Sequence, residues 1–372
     1  MKILIVTSST GWGIIPEMVE EFQKRRHHAE VFDINDLGPM GVAAKIAFRV
    51  PRLRYSASIA LLKRRLACLP ADFDAVNIHY ADPIYGDFAR ALKRRGRKLI
   101  TSIWGSDFLR AGPSALRNLG RTFDASDIVT SNNPEVMQKM VAHYPGISDR
   151  ARVIPFGLRS LDVIAELQQS ESQEETRKKL DIPRGKIVVT CGYNAIREQC
   201  HAKMIEALTA LSSGAKSRLF ILMPMTYPDN QAYREEVRKS LVSADVEYRI
   251  LDKVVSIEDM GRVRIVSDYA VNIQTTDSLS GSIQEHMFAG SLMIVGKWLP
   301  YRVFETMGVP LQRIESQEEI TSILEEAALA RPARRTEPEY AGKIYDYSSW
   351  SSNADRWLEL YGDRKPDAPT CR

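Results

Sequence analysis

The chain has little that would staple it, carry it through a membrane or hold a metal. Its four cysteines, Cys68, Cys191, Cys200 and Cys371, are scattered without C-x-x-C spacing. That argues against a zinc ribbon or a redox pair and reads as reduced thiols. No run of 18 consecutive apolar residues occurs, so no membrane-spanning helix is expected. The opening apolar residues Ile3 to Val6 give way to Thr7-Ser8-Ser9-Thr10 and then to Glu17, Glu20 and Glu21, which is not an export signal. No G-x-G-x-x-G follows the first strand and no G-x-x-x-x-G-K-[ST] occurs, which disfavours a dehydrogenase or a P-loop kinase. No histidine pair or Cys–His cluster has metal-ligand spacing, and no metal is expected. Asp72-Phe73-Asp74 imitates a D-x-D metal motif, but it precedes a strand, where such acids commonly just begin it.

What is present is ordinary in composition and uneven in charge. At 372 residues, 44% hydrophobic and 26% charged, the chain suits two globular domains and excludes a disordered or collagen-like one. Residues 1–160 hold 24 Lys and Arg against 15 Asp and Glu, a balance of +9; the remainder of the chain's 51 and 47 is 27 against 32, a balance of −5. A basic first half joined to an acidic second half points to two domains with different partners.

Short apolar runs alternate with amphipathic stretches, the pattern of parallel α/β domains. Strands are expected at 2–6, 29–33, 75–79, 98–103, 128–130 and 152–155, then at 186–191, 217–223, 247–250, 269–273 and 292–295. Helices fit 15–26, 85–95, 134–143, 200–212, 230–242, 256–267 and 282–288. Residues 166–179, rich in Gln, Ser, Glu and Lys, read as linker plus exposed helix. The expected division is 1–165 as a first Rossmann-like domain, 166–185 as linker and entry helix, and 186–345 as a second domain. A helix at 346–362 is expected to return to the first, and 363–372 to be a tail. Ligands of open α/β sheets sit at the carboxyl ends of the strands, so a cleft between facing domains is the expected site.

One segment carries most of the chemistry. Asp277-Ser278-Leu279-Ser280-Gly281-Ser282-Ile283-Gln284-Glu285 follows a strand and opens a helix. Ser280, Gly281 and Ser282 place small residues and unpaired N–H groups at a helix N-terminus, a geometry that binds phosphate. Glu285, read as lying in the first turn, could accept hydrogen bonds from a ribose diol, and Asp277 could meet sugar hydroxyls. The same residues fit an ordinary Ser N-cap with an acidic first turn.

This segment, with Met287-Phe288-Ala289-Gly290, resembles the donor-binding segment of retaining GT-B glycosyltransferases of the group 1 (family four) type, where an E-x7-E pair precedes an Ala-x-Gly turn. Asp277 stands in place of the first Glu. Asp127 to Ser131, Val153 to Gly157 and Arg177 to Pro183 are similar to other landmarks of that family. A narrower likeness, through Ile103 to Phe108, Gly192 to His201 and Met223 to Asn230, is to the lipid-linked 4-acetamido-fucosyltransferases of enterobacterial common antigen synthesis. Ser102 stands where those enzymes carry a histidine, whereas His79 matches one of theirs.

The resemblance implies a GT-B fold, α/β, with two Rossmann-like domains. It implies a metal-independent hexosyltransferase of polysaccharide or cell-envelope biosynthesis that takes a nucleotide-diphosphate sugar as co-substrate, with no other cofactor. The acceptor would be polyprenyl-linked or a surface glycan, and the sugar would be transferred with retention. Arg197 would hold the diphosphate alone, because Glu198 stands where a lysine is usual. A nucleotide-sugar 2-epimerase and a non-catalytic partner subunit are the alternatives.

The first half offers fewer clues. Gly11 and Gly13, after the first strand, either line the donor site or serve a tight turn. His79 at a strand end and Asp107 after Trp104-Gly105 are candidates for acceptor contact or general base, and each also fits a structural role. Residues 38–71 contain Lys45, Arg49, Arg52, Arg54, Lys63, Arg64 and Arg65 and no acid, interleaved with apolar residues. This reads either as a surface for anionic lipid, extended by 93–98, or as a solvated basic face; no nucleic-acid recognition module accompanies the charge. The expected location is cytoplasmic, either free or peripheral on the inner face of the cell membrane.

Overall fold

The structure, a computed structural model, describes residues 1–8, 13–37, 50–329 and 338–362. Two compact units emerge: 1–157 with 350–372, and 158–349. The boundary therefore falls ahead of the helix Arg159–Ser170, which belongs wholly to the second unit.

The first unit is built on β1 (Lys2–Thr7), β2 (His28–Asp33), β3 (Phe73–His79), β4 (Gly96–Ile103), β5 (Ile128–Ser131) and β6 (Ala151–Val153). They form one parallel sheet in the order β2-β1-β3-β4-β5-β6. Successive residues of β1 show why the run is continuous rather than alternating: Leu4 and Val6 enter one apolar cluster, Ile3 and Ile5 another on the opposite face. A sheet covered on both faces buries every strand position. The helix Trp350–Tyr361 closes one of those faces. Trp357 donates from its indole to the Pro155 carbonyl at 2.9 Å, and Trp350 reaches Glu17 at 2.9 Å. Trp350 lies so close over Gly157 that a Cβ there would fall 2.1 Å from the indole, so only glycine fits.

The second unit repeats the plan with β7 (Ile187–Cys191), β8 (Leu219–Pro224), β9 (Tyr248–Leu251), β10 (Tyr269–Asn272), β11 (Leu292–Gly296) and β12 (Leu311–Ile314). The parallel order is β12-β11-β10-β7-β8-β9. The chain therefore winds outward through β8 and β9, returns to lay β10 beside β7, and winds the other way. The switch point between β7 and β10 is where such sheets leave room for a ligand at the strands' carboxyl ends. The short edge strand β12 was not among the expected strands. No helix among the described residues is long and apolar enough to cross a membrane.

Candidate functional site

The two loops that flank the switch point of the second unit are residues 192–200, after β7, and 273–280, after β10. Gly192 turns the first with φ +66°, donating its N–H to the Val271 carbonyl. Gln199 ties the loops together: its amide nitrogen donates to the Gln274 side-chain oxygen at 3.0 Å, which also accepts from the Tyr193 hydroxyl at 3.1 Å. Two buried polar atoms on this rim, His201 Nε2 and Gln274 Nε2, have no hydrogen-bond partner. Burial pulls His201 down to about 4, so its ring is neutral, with Nδ1 against the Tyr233 hydroxyl at 3.1 Å.

The second loop delivers the Asp277 to Glu285 segment. Asp277 is half-buried; its Oδ2 accepts from the Tyr301 hydroxyl and from the Ser280 N–H at 3.3 Å. Tyr301 is itself held by Asn272 at 2.7 Å, so the carboxylate is oriented from beneath. The helix that follows is Gly281–Ala289. Ser280, at its N-cap position, makes no side-chain cap bond, and no acid lies in the first turn. The expected alternative of an ordinary side-chain-capped start with an acidic first turn is thus not what forms.

Glu285 sits one turn further along than the sequence suggested. Its Oε1 accepts from Ser160 at 2.7 Å and its Oε2 from Arg264 Nε at 3.0 Å. Arg264 is buried, at 4% side-chain exposure, and its Nη1 lies 3.1 Å from His286 Nε2. Burial and the adjacent guanidinium hold His286 well below the usual histidine range. Tyr227, from the loop after β8, has its hydroxyl pushed above the usual tyrosine range by burial, with Asn194, Glu285, Arg264 and Asp277 around it. Sequence reasoning missed Arg264, Ser160, Tyr193, Tyr227 and Tyr301. Only Arg264 carried a local signal, a lone charge inside the apolar stretch Val263 to Val266.

Arg197 lies on the β7 loop, but its side chain is not with this group. Both guanidinium nitrogens grip Glu236, at 2.9 and 2.6 Å, and the plane stacks on Tyr233 with 65% of the side chain exposed.

In the first unit His79 is fully buried among the rings of Trp104, Phe156 and Trp357. Asn77 Nδ2 donates to its Nε2 at 2.9 Å and to the Tyr361 hydroxyl at 2.8 Å. The proton therefore resides on Nδ1, which has no partner. Burial pulls the ring down to about 3. A ring whose lone pair is already taken is a hydrogen-bond donor, not a general base. Ser102 faces His79 across β3 and β4 and continues the chain Thr130 to Ser102 to Asn77 through hydrogen bonds of 2.8 and 2.9 Å.

Asp107 accepts from the N–H groups of Ala81, Gly105 and Trp104 at 2.8–3.2 Å. Burial raises its carboxyl to about 6, against the pull of those donors. It organises the turns after β3 and β4, two residues from His79. Gly13 starts the helix Ile14–Lys24, while Gly11 lies outside the described residues. Asp72 and Asp74 both bind Lys2, through its side chain and its N–H. Among the described residues no group of three His, Cys, Asp or Glu is placed to hold a metal.

No protein-family model matches the chain, and no curated protein sequence does. Solved structures do. Anabaena HepE in complex with UDP and glucose is similar over 97% of this chain and 99% of its own, with a TM-score of 0.70 at 14% identity. Sucrose-phosphate synthase from Thermosynechococcus elongatus covers 97% and 98%, with a TM-score of 0.74 at 13% identity. The α,α-trehalose 6-phosphate synthase from Burkholderia multivorans covers 97% and 98%, with a TM-score of 0.71 at 13% identity. At these identities the likeness is one of fold. The chain has the GT-B fold. In GT-B terms, the loops after β7 and β10 both belong to the second Rossmann-like unit.

Proposed function

We propose that this chain is a glycosyltransferase whose second unit binds a nucleoside diphosphate sugar at the β7–β10 switch point. One observation carries the reading: an oriented acid, an uncapped helix start and a carboxylate locked by a buried arginine occur together at that point. The helix start offers N–H groups and a positive dipole end to the diphosphate, where charge grows as the sugar leaves. Asp277 orients the sugar, Glu285 receives the ribose diol, and the loop glycine Gly192 lets the backbone come close. Arg197 reaches the diphosphate by leaving Glu236, an exposed and hence weak pair. No metal or further cofactor is required by this arrangement. The neighbours' UDP makes a UDP-sugar the first donor to test.

The acceptor side is the rim organised by Asp107, with His79 packed behind it, and a lipid-linked or surface-glycan acceptor agrees with the narrower sequence likeness and with the basic helix Pro51–Ala67. Transfer with retention follows from the D-x7-E likeness alone. The epimerase and the non-catalytic subunit gain no support from any feature of the site. The test is titration calorimetry with UDP-, GDP- and dTDP-sugars, repeated with Asp277→Asn. One donor class is expected to bind, and the substitution to weaken it about tenfold, one charged hydrogen bond's worth. Binding of none of the three classes overturns the reading.

A further inference from the structure

The stretch Met225 to Asn230, singled out in the sequence but given no role above, is a built platform. It follows β8, which lies next to β7, so it shares the rim of the donor site. Arg234, 8% exposed, clamps it from below. Its Nε donates to the Met225 carbonyl at 2.8 Å, Nη2 to the Thr226 and Pro228 carbonyls at 3.4 and 3.1 Å, and Nη1 to Asp229 at 2.8 Å. Two further bonds fasten it to the β7 loop: the Ala195 N–H donates to the Tyr227 carbonyl at 2.6 Å, and Asn230 donates to the Ala195 carbonyl at 3.4 Å.

What this scaffold presents is Tyr227. The residue is 50% exposed, while burial acts on its hydroxyl and the charges of Glu285, Arg264 and Asp277 reach it. The polar tip thus lies within reach of the donor-site charges, and half of the residue is left to solvent. An aromatic ring held rigid and half-bare beside a polar site suits a planar, weakly hydrated partner, and stacking on it loses little side-chain entropy. In a nucleoside diphosphate sugar, the group bonded to the ribose on the side away from the phosphates is the base.

We propose that Tyr227 is the stacking platform for the nucleobase of the donor, with Arg234 as the positioning residue that keeps it in place. The proposal rests on the donor-site reading above. It makes base recognition a matter of ring area and leaves the phosphates to the helix start.

The test compares UDP and inorganic pyrophosphate by titration calorimetry against the wild type, Tyr227→Ala and Tyr227→Phe. Tyr227→Ala should weaken UDP about tenfold or more, the scale of one base–aromatic stack, and leave pyrophosphate unchanged. Tyr227→Phe keeps the ring and should stay within about twofold of the wild type. Unchanged pyrophosphate affinity shows that each variant is folded. Equal loss for both ligands, or UDP binding that survives Tyr227→Ala, overturns the platform while the donor site stands. A loss confined to UDP-glucose, with UDP unaffected, assigns the ring to the sugar and also overturns it. Failure of the wild type to bind UDP, GDP, dTDP and pyrophosphate overturns both readings.

Discussion

Arg264 and Glu285 are the two residues in which structure and proposed chemistry are hardest to separate. The guanidinium is buried, so its charge is tolerable only while the carboxylate is there. Glu285→Gln should therefore cost about 3–5 kcal/mol, the penalty for leaving a buried charge unpaired. Replacing both, as Arg264→Met with Glu285→Met, removes charge and partner together and should recover much of that loss. Donor affinity should not return, because no carboxylate faces the ribose. Urea unfolding and donor titration on the single and double variants check the two halves; a double variant that binds donor normally would make the pair purely structural. The Asp277 to Glu285 cluster was legible in the sequence because it is contiguous, with residue types suited to a phosphate and a sugar. Arg264 and Ser160 were not, since they meet Glu285 across 21 and 125 residues of chain.

Elements show the same division between local and distant information. Most strands announced themselves as apolar runs because both faces of each sheet are covered. β12 did not: Leu-Gln-Arg-Ile is short, lies at the edge and is only partly buried. The basic stretches divide likewise. Lys93 pairs with Asp127, and Lys98 donates to the carbonyls of Leu360 and Gly362, so 93–98 is largely occupied inside the first unit. The helix Pro51–Ala67 is different. It buries Leu61, Leu62 and Leu66, and it exposes Arg52, Lys63 and Arg64 beside Leu53 and Tyr55. Residues 38–49 of the same stretch, with Lys45 and Arg49, lie outside the described residues. If this face meets anionic lipid, each basic residue contributes about 1 kcal/mol, weakening with salt. The protein should then sediment with phosphatidylglycerol vesicles and not with phosphatidylcholine ones. Arg52→Glu, Lys63→Glu and Arg64→Glu together should abolish it. Sedimentation that ignores both salt and these changes would remove the lipid from the reading.

Across the whole molecule, the charge split of +9 and −5 divides near the boundary between the units, so the phosphate contacts proposed for the second unit would be local rather than a broad basic pocket. Histidine gives the molecule a second global property. Of the six histidines, His79 in one unit and His201 and His286 in the other are buried and neutral, all with values pulled below the usual range. In each the folded-state value lies below the unfolded one, so the unfolded chain takes up protons first. Stability is then full above about pH 6.5 and falls as pH drops below it, by up to about 1.4 kcal/mol per pH unit for each histidine. Asp107 runs the other way, because its raised value lets the folded state take up a proton near pH 6. One such group against three leaves the slope downward toward acid. Urea midpoints should therefore decline steadily between pH 7 and pH 5. His79→Gln preserves an acceptor for Asn77 without a titrating ring, so it should start lower at pH 7 and decline less steeply. An unaltered slope in that variant would mean that His79 titrates alike in the folded and unfolded chains and contributes nothing to the acid sensitivity of the fold.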